Sequence, residues 1–161
     1  MRLTLGIKVF YPSQGLCLIG PVVQKVVGGK TMRFCQLAVL NDGGDLFVPV
    51  DKLESVGIRP LLKKSEIPRL LQCLTLPVEA ADNYRQRVND NAKLIASGSA
   101  YDLAEVVSSL TNAKKKRALS YGENRTLHKA MNLLIREISE VMGETEEEAE
   151  EQVESVLNSR K

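Results

Sequence analysis

The sequence has no tryptophan, one histidine and three cysteines among its 161 residues. That inventory leaves little for acid–base, metal or nucleophile chemistry, so no enzyme activity, catalytic residue, metal, cofactor or small-molecule substrate is expected. Cys17, Cys35 and Cys73 are far apart and form no C-x-x-C pair. Zinc sites in small domains usually draw ligands from such pairs, and His128 would be a fourth ligand only if the fold gathered four distant positions. An odd cysteine count also argues against a disulfide framework. Cys17 and Cys35 sit inside apolar, strand-like runs and read as buried small hydrophobes. No apolar run approaches the ~18 residues that a membrane span needs, so no membrane partner is expected. The opening Met1–Lys8 has neither an apolar h-region nor a small-residue cleavage site, which points to a soluble cytoplasmic protein.

What is present is ordinary in amount and uneven in placement. The chain is 43% hydrophobic and 26% charged, within the range of folded globular domains. The formal net charge of +2 conceals three blocks. Residues 1–76 hold 10 basic and 5 acidic residues, 77–142 hold 10 and 8, and 143–161 hold 2 and 7. Between positions 111 and 136, Lys114, Lys115, Lys116, Arg117, Arg125, Lys129 and Arg136 stand against Glu123 alone. A basic segment followed by an acidic end is either a solvated helical surface or a phosphate-binding face.

The first 60 or so residues read as strands. Residues 7–12 are short and rich in β-branched and aromatic types, and Ser13-Gln14-Gly15 breaks the run. Leu16 to Val27 follows, with Gly20-Pro21 inside it as the mark of a bulge or bend. Gly28-Gly29 between apolar runs is a hairpin signal. Residues 31–40, a turn at 41–44 and a strand over 45–50 complete a meander. So short a meander closes only into a small SH3-like barrel or a curled sheet, which binds partners through an edge or an exposed face.

From about residue 66 the apolar period changes from two to 3.6. Ile67, Leu70, Leu71 and Leu74 form one stripe; Val88, Asn91, Leu94 and Ile95, ended by Gly98, form another; Leu103, Val106, Val107 and Leu110 form a third. Ser120-Tyr-Gly-Glu123 is a capping box, in which hydroxyl and carboxylate satisfy free backbone donors. It opens a helix with Leu127, Met131, Leu134, Ile135 and Ile138 toward a core, while Arg125, Lys129 and Arg136 project together on the other side. Thr145-Glu-Glu-Glu148 predicts a second capping box and an acidic helix whose stripe is Ala149, Val153, Val156 and Leu157. No internal repeat or low-complexity linker interrupts the order. The fold class is α+β, in two modules.

Val9-Phe10-Tyr11-Pro12-Ser13-Gln14-Gly15 resembles the V-x-Y-P-x-x-G opening of the CarD/CdnL family of bacterial transcription regulators, an opening shared with the RNA-polymerase-interacting domain of the transcription-repair coupling factor. Phe47-Val48-Pro49 and Ser55-Val56-Gly57-Ile58-Arg59 look like further family elements. Leu94-Ile-Ala-Ser-Gly98, Leu103-Ala-Glu-Val-Val107 and Leu119-Ser-Tyr-Gly-Glu-Asn-Arg125 match the family's helical half in the same order. The resemblance spans about residues 3–158. The coupling factor shares only the first module, so the helical half resembles the stand-alone regulator.

The resemblance implies an SH3/Tudor-like β-barrel over 1–62 that docks on the RNA polymerase β subunit, and an all-α helical, DNA-binding domain over 63–161. The helical domain would contact promoter DNA near the upstream edge of the transcription bubble and stabilise the open complex without catalysis, in the nucleoid-associated cytoplasm. Phe47 and Pro49 match polymerase-facing positions of relatives, and Lys25 lies near a basic contact in some of them. Alternation leaves Phe47 either outward as an anchor or inward in the core. The family usually carries a tryptophan wedge in an N-W-x-R-R-Y-[KR] context, where this chain reads Asn83-Tyr84-Arg85-Gln86-Arg87-Val88-Asn89. Tyr84 keeps a flat ring with less stacking area than an indole, and either wedges into DNA or packs on the stripe above Val88. Arg85 and Arg87, with Lys114, Lys115, Lys116, Arg117, Arg125 and Lys129, are the phosphate-contact expectation. His128 reads as a plain surface residue.

Overall fold

The computed structural model describes residues 4–41, 43–76 and 78–159. Met1–Leu3, which fall in the opening segment, and Asp42, within the expected second turn, lie outside them. The chain divides into two compact units, Met1–Leu61 and Leu62–Lys161.

The first unit is an antiparallel five-stranded sheet: β1 (Lys8–Tyr11), β2 (Gly15–Val27), β3 (Lys30–Val39), β4 (Asp45–Pro49) and β5 (Arg59–Pro60), in the order β4-β3-β2-β1-β5. The β2–β3 turn is Gly28-Gly29, with φ of 59° and 79°. Two successive positive φ angles are what a tight right-twisting hairpin needs, and only glycine takes both without strain. The β2–β3 register shifts between Ile19 and Val22, so the expected bulge sits at Gly20-Pro21. Gly20 also lies close under β3, since a Cβ there would meet the Gln36 carbonyl at 3.1 Å.

Side chains alternate across the pleat, and one face of these strands supplies the core. Val9, Cys17, Ile19, Cys35, Leu37, Val39 and Val48 are buried there. A single 3-10 turn over Val50–Lys52 leads to Leu53 and Ile58, which complete the cluster. Burial pushes the Cys17 thiol up to about 11 and raises that of Cys35, so both stay protonated near neutral pH. Cys73 is exposed.

The second unit contains α1 (Ile67–Cys73), α2 (Tyr84–Ala96), α3 (Ala100–Lys116), α4 (Tyr121–Met142) and α5 (Glu146–Asn158). Its core joins Ile67, Leu70 and Leu74 of the α1 region to Leu103, Val106, Val107 and Leu110 of α3, Leu134 and Ile138 of α4, and Ala149, Val153 and Leu157 of α5. Each such large side chain contributes roughly 1.5–3 kcal/mol on leaving water. α4 ends at Gly143, whose φ of 66° is the left-handed conformation common just after a helix. The α2 stripe differs from its expectation at one end. Ile95 is buried, but Val88 is exposed, so only the C-terminal half of α2 faces the core.

The capping box at Ser120 is complete, with Ser120 Oγ accepting from the Glu123 N–H at 3.1 Å and Glu123 Oε1 accepting from the Ser120 N–H at 3.2 Å. The one expected at Thr145 is half formed. Thr145 Oγ1 accepts from the Glu148 N–H at 3.1 Å, but the Glu148 carboxylate takes the Thr145 hydroxyl at 3.2 Å rather than the backbone N–H. One buried carboxylate has a role not readable from local pattern: Glu137, whose Oε2 accepts from the Leu62 N–H at 2.9 Å.

Candidate nucleic-acid and protein interfaces

On the sheet, the register decides which residues share the outer face. Phe34 is opposite Pro49 and Gln36 opposite Phe47, while Cys35 is opposite Val48 in the core. On the other side of β3, Val23 faces Phe34 and Lys25 faces Met32. Phe47 therefore points outward, 42% exposed, beside half-buried Pro49 and Phe34. The Lys25 ammonium lies 3.8 Å from the centroid of the Phe47 ring. A cation over an exposed ring is a preformed patch, worth roughly 0.5–1 kcal/mol to its own geometry, that offers both an apolar anchor and a positive charge.

In the helical unit the organising residue is Glu123, 5% exposed at the start of α4. Beyond closing the capping box, its carboxylate receives both terminal nitrogens of Arg117, at 3.0 and 2.9 Å. Arg87 Nε approaches Oε2 at 3.5 Å, and Arg87 Nη1 donates to the carbonyls of Ala81 and Asp82 at 3.1 and 2.7 Å. One carboxylate thus ties α2, the C-terminal end of α3 and the N-terminal end of α4. The Arg117 fork, above all, holds the Glu123 carboxyl down at about 2, against the opposing effect of burial.

The segment before α2 is held by Arg87 and by further contacts from α3. Asn83 Oδ1 caps α2 by accepting from the Gln86 N–H at 3.2 Å, and Asn112 and Ser108 of α3 donate to the carbonyls of Val78 and Leu76 at 3.4 and 2.8 Å. Tyr84, the first residue of α2, is thereby held on a constrained helix end. Its ring is 50% exposed, and a Cβ built on Gly122 of α4 would lie 3.6 Å from its hydroxyl. Val88, the stripe residue one turn on from Tyr84, is itself 44% exposed.

The expected phosphate contacts divide into three groups. Arg85, Lys114, Lys115, Arg125 and Lys129 are exposed, and no hydrogen bond or ion pair among the described residues engages them. Arg87 and Arg117 are already engaged, because both guanidiniums pair with Glu123; Arg87 is 15% exposed, whereas Arg117 stays 39% exposed. Lys116 pairs with Glu79 at 3.4 Å, with both side chains well exposed, so the link is weak. Arg136 meets Glu146 of α5 at 3.1 Å and leaves the row that Arg125 and Lys129 continue. His128 is exposed.

Two residues escape a sequence reading. Glu123 is legible as a cap, but its partner Arg87 is 36 positions away and joins it only through tertiary packing. Tyr121 is 79% exposed at the first position of α4, with the Arg125 guanidinium 5.8 Å from its ring centroid. The available signal was an aromatic next to a cap glycine, with a basic residue four positions on. Among the described residues, no group of three His, Cys, Asp or Glu is placed to hold a metal ion, and no helix is long and apolar enough to cross a membrane.

The chain thus pairs a small sheet with an apolar–cationic face and a helical unit with exposed cations and tyrosines. Comparison with known proteins assigns the family. Residues 70–154 match the CarD C-terminal domain and residues 3–62 match the CarD-like/TRCF RID domain, so the chain belongs to the CarD-like family of transcription factors, whose first domain is of the RNA-polymerase-interacting type. It is similar to "Putative transcription factor YdeB" of Bacillus subtilis (strain 168), with 24% identity over 151 residues, covering 89% of this chain and 95% of that protein. It is also similar to the 72-residue N-terminal domain of Myxococcus xanthus CarD, solved by NMR in solution, with 32% identity, a TM-score of 0.31, and 37% of this chain and 79% of that one covered.

Proposed function

We propose that this chain is a non-enzymatic bacterial transcription regulator. Residues 1–62 bind the RNA polymerase β subunit, and residues 63–161 contact promoter DNA near the upstream edge of the bubble. Bound to both, the protein stabilises the open complex by preferring it to the closed one, and the effect is limited by that difference in affinity. The supporting observation is that the two modules carry two surfaces of different chemistry. The sheet offers Phe47, Pro49 and Lys25, and the helices offer exposed Tyr84 together with unpaired Arg85, Lys114, Lys115, Arg125 and Lys129. Unpaired surface cations suit a phosphate backbone read without sequence.

The experiment is a salt titration of binding to a forked promoter duplex. Replacing Lys114, Lys115 and Lys116 together by alanine is expected to weaken binding at low salt and to reduce the slope of log K against log salt by about 2 to 3, roughly 0.9 per lost phosphate contact. A slope equal to wild type would remove these lysines from the interface. The second reading, a polymerase-binding paralogue without productive DNA contact, is favoured by tyrosine at 84 and by the engagement of Arg87 and Arg117 with Glu123. It predicts polymerase binding with no shift of the forked template.

A further inference from the structure

We infer that Tyr121 is a second DNA-contacting aromatic, and that it and Tyr84 form a two-ring platform for unstacked bases at a junction of duplex and single strand. This rests on the DNA-binding reading above and extends it to a residue outside the expected wedge segment. At 79%, Tyr121 is the most exposed of the large apolar and aromatic side chains described. The fold has no evident use for an aromatic there, since Ser120 and Glu123 already cap α4 and the ring covers no core.

Three observations point to nucleic acid as the occupant. First, Tyr84 is the neighbouring exposed ring. The bare Cα of Gly122, the residue after Tyr121, stands against its hydroxyl, with a hypothetical Cβ at 3.6 Å. Second, Tyr121, Arg125 and Lys129 are spaced by four along α4, so they form one row on its exposed side. Third, the exposed Arg125 guanidinium lies 5.8 Å from the Tyr121 centroid, a ring and a cation side by side on the surface, while Arg87, 5.6 Å from the Tyr84 centroid, is held by Glu123. A strand of nucleic acid presents flat bases alternating with phosphates, and a surface alternating rings with cations is its complement. A neutral apolar protein partner would leave Arg125 and Lys129 unpaired on desolvation.

Two phenol rings at the ends of two helices tied by one carboxylate offer more stacking area together than either does alone.

The test measures affinity of the full chain for a fluorescein-labelled duplex with one unpaired arm and for the fully paired duplex. Tyr121→Ala is expected to weaken forked-template binding about ten-fold, within the range for one lost base stack, while the paired duplex changes little. The salt slope should stay at the wild-type value, because no phosphate contact is lost. Arg125→Ala should instead lower that slope by about 0.9. Tyr121→Phe should bind as wild type, which separates stacking from hydroxyl chemistry. Unchanged thermal unfolding of Tyr121→Ala excludes a folding defect, as an exposed site leads one to expect. If Tyr121→Ala binds the forked template like wild type while Tyr84→Ala is weakened, the platform is wrong and the DNA-binding reading stands. If the wild-type chain shifts neither template, both fall.

Discussion

Glu123→Ala should destabilise the helical unit by about 2 to 3 kcal/mol. It removes the carboxylate half of the α4 capping box and the partner of the Arg117 fork, and it leaves Arg87, only 15% exposed, beside an empty position. For a unit of this size the shift in Tm is on the order of 10 °C. Glu123→Gln keeps an acceptor for the Ser120 N–H but removes the charge, so it should fall between alanine and wild type. The pH dependence has a definite sign. Because the folded-state pKa, about 2, lies below the ordinary value of 4.5, this contribution is fully present above pH ~4.5 and is lost as pH falls toward 2. Thermal melts from pH 7 down to pH 2 should therefore show wild type and Glu123→Gln converging at the acid end. Parallel curves would mean that the carboxylate is not held by the arginines.

Phe47→Ala should weaken binding to the RNA polymerase β subunit by about 30-fold, or about 2 kcal/mol, with stability changed by no more than the lost Lys25 contact, about 1 kcal/mol. The separation of effects follows from position. Phe47 is outward and 42% exposed, so truncation opens no cavity, whereas its neighbour Val48 is 5% exposed in the core cluster. Val48→Ala should do the reverse, costing about 2 kcal/mol of stability while leaving the outer patch in place. Titration of the β subunit with each variant, alongside thermal melts, measures both quantities. Equal polymerase affinity for wild type and Phe47→Ala would remove the sheet face from the account.

The features legible in the sequence are those encoded within a few residues. The Gly28-Gly29 hairpin, the bulge at Gly20-Pro21 and the Ser120–Glu123 capping box each depend on local stereochemistry, and each stands where the sequence puts it. The α3 and α5 core stripes likewise follow from period alone. The fifth strand, Arg59–Pro60, was not legible, because two residues carry no periodicity and the strand exists only through pairing with Val9 and Phe10. The direction of Phe47 needed the register with Gln36. Val88 shows the same limit, since tertiary packing and not apolar spacing decides which side of a helix is covered, and here it covers Arg87 and leaves Val88 44% exposed.

The candidate site was legible in residue types and not in their engagement. Charge counting treats Arg87, Arg117, Arg125 and Lys129 alike. Tertiary packing gives the first two to Glu123 and leaves the last two exposed. Arg136 was separated from its row by a carboxylate ten positions on, at the start of the next helix. Tyr121 was hidden by its position inside a capping box, where the flanking serine and glutamate explain the motif without it.

Whether one chain holds polymerase and promoter DNA together in the open state is tested most directly by the lifetime of the open complex on a single promoter, measured after heparin challenge with and without saturating protein. A longer lifetime is expected with wild type, and a smaller extension for Phe47→Ala and for the Lys114–Lys116 triple alanine variant. An open-complex lifetime unchanged by wild-type protein that is demonstrably bound to polymerase would contradict the proposed function.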